Sequence, residues 1–318
     1  MRYLITGAAG FIGGALVQRL ISEGHRVRGL LHRTQPTFFH PHLEYVTGDI
    51  ADGAFLSSAL SQVDVVYHCA AMVNDYGPKK EFSRINVDGT KHLVTACKEH
   101  SVKRFVFLSH IQSKELTRNT EYRVTKKEAE AYLLENYRHE QFPVVIIRPG
   151  NVYGPRASTW VLRPLQAIQK NRIALIDGGN GIFLHTYVEN LLDALTAAAE
   201  APRAIGETID VTDGDNTTTW GEYLNAIAQM LHKPPIQRNL SKRNAMFISK
   251  LMMIRYQLFR IEPWVTPMAV EIFTNHQPVS IEKAHEILGY SPKIDYTEGL
   301  RQVEHWLKKE GYLPIHSS

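Results

Sequence analysis

Tyr122 and Lys126 stand four residues apart in "EYRVTKKEAEAYLLENY". On a helix that spacing puts both side chains on one face. A phenol beside an ammonium can move a proton to or from a carbinol or carbonyl oxygen, because the positive charge lowers the phenol from its free pKa of about 10. A second pair of the same spacing, Tyr76 and Lys80, encloses Gly77 and Pro78, which interrupt a regular helix. The usual third partner of such a pair is a serine or threonine at the end of the preceding strand. "RFVFLSHIQS" offers three residues there: Ser109, His110 and Ser113. A serine hydroxyl could serve after a local shift of register, or His110 could donate a ring N–H. In a third reading the site is degraded and the pair only holds a cofactor.

A hydride carrier is the natural companion of such a pair, and the first residues are built for one. In "YLITGAAGFIGGALVQRL", Gly7, Gly10 and Gly13 fall between an apolar run and an amphipathic pattern. Gly7 permits a tight turn, Gly10 lets the backbone approach a pyrophosphate, and Gly13 lets the helix pack closely on the sheet. The N–H groups at Phe11, Ile12 and Gly13 then point a partial positive charge at the phosphates. The next strand, "HRVRGLLHRT", ends in His32 and Arg33 with no acidic residue to bind ribose hydroxyls. A cation there suits a 2′-phosphate, so NADP is favoured over NAD.

The elements that must position these residues follow from periodicity. Apolar runs at 2–6, 26–31, 43–46, 64–68, 104–109 and 143–148 alternate with helical patterns at 11–22, 52–61, 87–100 and 122–138. Such alternation predicts a parallel sheet covered on both faces. The fold class is therefore α/β: a Rossmann-type, doubly wound parallel sheet with a smaller, mostly helical substrate lobe. Residues 1–155 are expected to form the dinucleotide-binding domain, joined by a returning strand near 206–212, and 156–318 mainly the lobe. Helices are expected at 159–171 and 187–200, with a tight turn at "DGGNGIF".

Composition excludes some classes of function. Over 318 residues the charge is only +4, with no basic tail or arginine cluster to suit nucleic acid. Two cysteines, Cys69 and Cys97, sit in apolar surroundings and read as reduced thiols of a cytoplasmic protein. The histidines lack metal-ligand spacing, so no metal site is expected. The opening segment has the look of a signal peptide, but its glycines and its role as first strand argue against that. No apolar run is long enough to span a bilayer. "KRNAMFISKLMMIRYQLFRI", 242–261, is a helix with a wide apolar face and a stripe of Arg243, Lys250 and Arg260. Packing on the core is its simplest reading, with a membrane surface or a partner as alternatives.

The motifs together resemble the extended short-chain dehydrogenase/reductase superfamily. "TGAAGFIG", "GDI" at 48–50, "HCAAMV" at 68–73, "NVDGT" at 86–90, "YRVTK" at 122–126 and "RPGNVYGP" at 148–155 carry the likeness. "HTYVENLLDAL" at 185–195 and "LGYSPKIDYTEGL" at 288–300 extend it over nearly the whole chain. "AAMVNDYGP" and the C-terminal pattern are most similar to the 3β-hydroxysteroid dehydrogenase group. The resemblance implies that Asp49 and Ile50 border the adenine and that Ala70 and Ala71 line the cofactor. Likewise Asn86 shapes the site, Lys126 binds the nicotinamide ribose, Pro149 lies near the nicotinamide and Asn151 meets the substrate. It also aligns His110 with the usual catalytic hydroxyl, before a shortened loop of eleven residues. The implied activity is NAD(P)-dependent oxidation or reduction of a secondary alcohol or ketone on a sterol-like or other small hydroxy substrate. A nucleotide-sugar epimerase or dehydratase and a non-catalytic NADP(H) sensor are the alternatives. A homodimer through 87–100 and 122–138 is expected by analogy.

Other residues read more plainly. Arg156, just past the "YGP" turn, is a candidate for substrate contact. His185 is expected to be structural, Arg148 to end a strand in a charge pair, and Tyr153 to pack. Trp160, Phe183 and Trp264 are available to line an apolar pocket in the second half.

Overall fold

The apolar runs of the first half become strands β1 (Arg2–Thr6), β2 (Arg26–Leu31), β3 (Leu43–Thr47), β4 (Val65–His68), β5 (Arg104–Leu108) and β6 (Val144–Pro149). The computed structural model describes residues 1–113 and 116–313. Later come β7 (Asn151–Tyr153), β8 (Leu175–Ile176), β9 (His185–Tyr187), β10 (Thr208–Val211) and β11 (Asn239–Leu240). Seven strands form one sheet in the order β10-β6-β5-β4-β1-β2-β3. Every neighbouring pair is parallel. Strands such as "VVYH" and "RFVFL" are apolar on successive residues because helices cover both faces of the sheet. The order reverses between β1 and β4, which opens a crevice at their carboxyl ends.

The helices are α1 (Phe11–Ser22), α2 (Gly53–Ala59), α3 (Lys79–Phe82), α4 (Gly89–Glu99), α5 (Glu121–Glu140), α6 (Arg163–Gln169), α7 (Val188–Glu200), α8 (Trp220–Met230), α9 (Lys242–Phe259), α10 (Pro267–Phe273), α11 (Glu282–Leu288) and α12 (Tyr296–Lys309). Helix α5 begins one residue before the expected start because Thr120 caps it, accepting a hydrogen bond from the Arg123 N–H. It runs on to Glu140 and stops at Gln141, which takes a left-handed conformation with φ of 55°. The helix expected at 87–100 starts earlier: α3 runs through a π-helical turn, Ser83–Asp88, into α4.

One apolar cluster sits under α1 and α7 on one face of the sheet, and a second lies under α2, α4 and α5 on the other. The second half adds two short parallel pairs, β7 with β9 and β8 with β11. Its helix α8 starts at a capping box between Thr219 and Glu222. Helix α9 departs from the expectation that it packs on the core. Only Ala245 and Ser249 are fully buried; Met246, Ile248, Met252, Met253 and Tyr256 are half-buried, and Phe247, Leu251, Ile254, Leu258 and Phe259 are exposed.

Candidate active site

A cleft of about 970 Å³ runs along the carboxyl ends of the strands and into the second half. At one end stands the glycine turn. Gly7 has φ of +69°, a conformation that favours glycine. A Cβ on Gly13 would lie 2.3 Å from the Gly7 carbonyl oxygen, and one on Gly10 would lie 3.1 Å from it. The α1 N-terminus therefore comes within backbone contact of the turn, and Gly10 supplies no side-chain cap. The first-turn N–H groups at Phe11, Ile12 and Gly13 face the cleft, a cradle that fits a pyrophosphate. Gly13→Ala is expected to destabilise the fold by about 1–3 kcal/mol, because neither backbone can move aside. The same change should weaken dinucleotide binding, which melting with and without NADPH measures.

Next along the cleft come His32 and Arg33, just after β2, and Asp49 and Ile50, just after β3. Asp49 is already engaged: its carboxylate accepts from Arg84 Nη1 at 2.7 Å and lies 3.8 Å from His32 Nε2. The Ala51 N–H and then Arg84 hold it below the usual carboxylate range. Among the described residues Arg33 has no acidic partner. Ala70, Ala71 and Pro149 line the middle of the cleft, and the Ala70 N–H donates to Thr6 Oγ1 at 3.0 Å.

The floor is formed by the end of β5 and the first turn of α5. Tyr122 and Lys126 both line the cleft, and the rings of Tyr122 and His110 lie 5.1 Å apart. Lys126 is buried; its ammonium donates to the Leu108 carbonyl at 2.5 Å and sits 3.8 Å above the Phe107 ring centre. Burial lowers Lys126 to about 7. Burial also pushes Tyr122 well above its ordinary value, with Glu130 and Asp75 adding to the effect. This corrects the expectation that the lysine lowers the tyrosine: desolvation outweighs the ammonium, which is turned to a backbone carbonyl. His110 is lowered to about 3, by burial first and then by Lys126, Arg123 and Arg148. It is therefore neutral near neutral pH, with one ring N–H to donate. Both its nitrogens and the Ser109 hydroxyl are buried without a hydrogen-bond partner. That unmet polar capacity at the cleft floor fits an incoming oxygen. The three candidates thus separate: the Ser113 hydroxyl reaches Asn275 Oδ1 at 3.0 Å and Gln277 Oε1 at 2.9 Å, while His110 stands beside Tyr122.

Beyond the floor the cleft is mostly apolar, with Trp160, Ile176, Leu240, Trp264, Met268 and Phe273 in its lining. Phe183 is fully buried behind it. Asn151 faces the cleft from β7. Arg156 does not; its guanidinium turns outward and donates to Thr37 Oγ1 at 3.1 Å. His185 is buried between Asp213 (2.7 Å) and Asp215 (3.3 Å), which tie β9 to the end of β10. Arg148 pairs with Glu130 of α5, and Tyr153 sits in an aromatic cluster. Among the described residues no group of three or more His, Cys, Asp or Glu side chains is placed to hold a metal ion.

The family model described as "NAD dependent epimerase/dehydratase family" matches residues 3–212, from the first strand to the returning one. The chain belongs to that family. It is an NAD(P)-dependent enzyme of the extended short-chain dehydrogenase/reductase type. Among relatives similar in sequence is a 3-beta-hydroxysteroid dehydrogenase of Mycolicibacterium neoaurum, 28% identical over 92% of this chain and 87% of its own. A 2-alkyl-3-oxoalkanoate reductase of Stenotrophomonas maltophilia is 26% identical over 96% and 98%. In fold the chain is similar to the UDP-glucuronic acid 4-epimerase of Bacillus cereus, with a TM-score of 0.77 at 23% identity over 98% and 100% of the two chains.

As a member of this epimerase/dehydratase family the chain carries one structural feature that sequence reading missed. A buried polar chain links the glycine-turn strand to the Tyr122 helix. Thr90 donates to the Asn86 carbonyl at 2.7 Å, so the His68 Nε2–H must donate to Thr90 Oγ1 at 3.0 Å. Neutral His68, lowered to about 3 by burial, then accepts at Nδ1 from Thr6 at 2.8 Å. Asn86 closes the path: its amide donates to Thr125 Oγ1 at 3.0 Å and to the Met72 carbonyl at 3.2 Å, and its oxygen accepts from the Met72 N–H. Every donor has an acceptor, so the chain fixes Ala70, Met72 and the first turn of α5 relative to one another. The resemblance implied a role for Asn86 alone, although Thr6, His68, Thr90 and Thr125 all lie within the motifs that carry it.

Proposed function

We propose that this protein reduces a ketone, or oxidises the matching secondary alcohol, on a bulky apolar substrate. The observation that carries the reading is the pairing of Tyr122 with an unpartnered, neutral His110 at the floor of a largely apolar cleft. A bound nicotinamide dinucleotide supplies or accepts the hydride. In the reductive direction the Tyr122 O–H donates its proton to the carbonyl oxygen, and the His110 N–H hydrogen-bonds to the same oxygen as charge develops on it. Charged Lys126 stabilises the phenolate left behind. The glycine turn with Phe11, Ile12 and Gly13 would hold the pyrophosphate; Ile50, Ala70, Ala71 and Pro149 would line the rest of the dinucleotide. Asn151 would meet the substrate. The second half, 156–318, would act mainly as the substrate lobe. The relatives named above for a steroid and for 2-alkyl-3-oxoalkanoates support an apolar substrate.

The preferred cofactor is NADP, because Arg33 stands after β2 with no acidic partner among the described residues, while the nearby Asp49 carboxylate is taken up by Arg84 and His32. The test is direct: with NADPH and a cyclic or 2-alkyl-3-oxo ketone, absorbance of the reduced dinucleotide should fall steadily. Arg33→Ala should raise the Kd for NADPH about tenfold or more and leave that for NADH unchanged, as loss of a charge-assisted phosphate contact requires. A nucleotide-sugar epimerase is the second reading, favoured by Arg163 and Arg172 in the cleft wall, which suit a diphosphate. It returns the hydride to its own substrate and would give no net absorbance change.

The pH profile follows from Lys126. Its folded pKa of about 7 lies below the ordinary lysine value, so it is charged below pH 7 and neutral above. Reduction needs the charged form beside the nascent phenolate. The rate should therefore be full below pH 7 and fall as pH rises through it. Lys126→Met is expected to turn over slowly, with that limb absent from a steady-state profile.

The same proposal includes a cytoplasmic homodimer built on α4 and α5, which lie side by side and are joined by Lys98 to Asn136 and Glu140. Sedimentation velocity measures it. Among the described residues no helix is long and apolar enough to cross a membrane.

A further inference from the structure

Helix α9 is apolar on two opposite sides. One side attaches it to the fold: Ala245 packs with Ile176 and Val270, and Ser249 is buried on the same side. The other turns Phe247, Leu251, Ile254 and Leu258 to solvent, 64%, 49%, 51% and 69% exposed. At 3.6 residues per turn these four form one continuous stripe about half a turn away from Ala245 and Ser249. Phe259 at the end of the helix is exposed too, and past the left-handed residue Arg260 the exposed apolar side chains Ile261 and Trp264 follow. Isolated exposed apolar residues are ordinary; a contiguous patch of this length marks an interaction site.

The charges around it select the partner. Lys242, Arg243, Lys250, Arg255 and Arg260 are all exposed against a single exposed carboxylate, Glu262, between 242 and 264. Arg243 and Lys250 border one edge of the stripe and Arg255 the other. A second copy of the chain is disfavoured, because an isologous contact through the stripe would bring Arg243, Lys250 and Arg255 close to the same three cations of its partner. An apolar stripe flanked by cations on both edges complements a surface with an apolar interior and an anionic face. We propose that α9 and the 259–264 segment dock on an anionic membrane surface. The stripe enters the boundary of headgroups and acyl chains, and the long cationic side chains reach back to the phosphates.

This docking stands on the surface alone and does not depend on the substrate proposed above. It has a consequence for the cleft all the same. Ile248, Trp264 and Val265 belong both to this region and to the cleft wall. Docking therefore turns one mouth of the cleft toward the lipid, a short route for an apolar molecule.

The experiment is co-sedimentation of the full chain with vesicles of phosphatidylcholine alone or mixed with phosphatidylglycerol. Binding is expected to the anionic vesicles and to fall with added salt. Leu251→Glu/Leu258→Glu should lower the partition coefficient about tenfold or more, with circular dichroism and melting unchanged because both side chains point away from the fold. Lys250→Glu/Arg255→Glu should lower it as well without altering the apolar stripe. Absence of binding to either vesicle, or binding by both double variants as strong as that of the wild type, overturns the proposal. So does a wild-type dimer that Leu251→Glu/Leu258→Glu converts to monomer, since a second copy would then cover the stripe.

Discussion

Tyr122→Phe is expected to lower kcat/KM for ketone reduction by about 10²–10⁴-fold while dinucleotide affinity stays unchanged. The substitution removes one hydroxyl and nothing else. The ring keeps its place 5.1 Å from His110, and the backbone contact of Thr125 with the Tyr122 carbonyl is untouched. The glycine turn, Arg33 and Ala70 lie on other elements and have no stake in the phenol. Fluorescence titration with NADPH and steady-state rates separate the two effects. Burial also holds the phenol protonated, so the wild-type protein is poised to donate a proton rather than accept one. A variant that turns over at the wild-type rate would remove Tyr122 from the mechanism.

His110 should show the second-largest effect. His110→Ala is expected to cost about 10²–10³-fold in kcat with little change in KM, the pattern of a donor that acts as charge develops on the oxygen. His110→Ser places a hydroxyl at the end of the same strand and should recover activity to within about tenfold of wild type. The alternative donor is Ser109, whose hydroxyl is also buried without a partner. If Ser109→Ala is the damaging change and His110→Ala the mild one, the roles are reversed. Since His110 is lowered to about 3, neither variant should move the limb near pH 7, which belongs to Lys126.

Much of this was legible in the residues before any contact was known. The glycine spacing from Gly7 to Gly13, the run of apolar strands and the four-residue step from Tyr122 to Lys126 are local patterns. They depend on backbone geometry within a turn or two, and the strand at 208–211 could be read the same way. The absence of an acid after "HRVRGLL" was equally plain.

Tertiary structure decided the rest. Ser113 bonds Asn275 and Gln277, more than 160 residues away, and so leaves the pair; no local pattern carries that. Arg156 looked inward by position yet turns to Thr37, because Arg156 itself takes a left-handed φ of 74° just beyond Gly154 and Pro155. The lysine was expected to tune the tyrosine, but burial of both groups moved them apart, and burial is a property of the packed whole. The polar chain from Thr6 to Thr125 joins residues from two strands and two helical segments. Helix α9 makes the point most simply: its amphipathic pattern was visible, but only packing showed which of its two apolar sides is covered. A sequence specifies the period of a helix or strand through local sterics, whereas which face meets what is settled by the partners the rest of the chain brings to it.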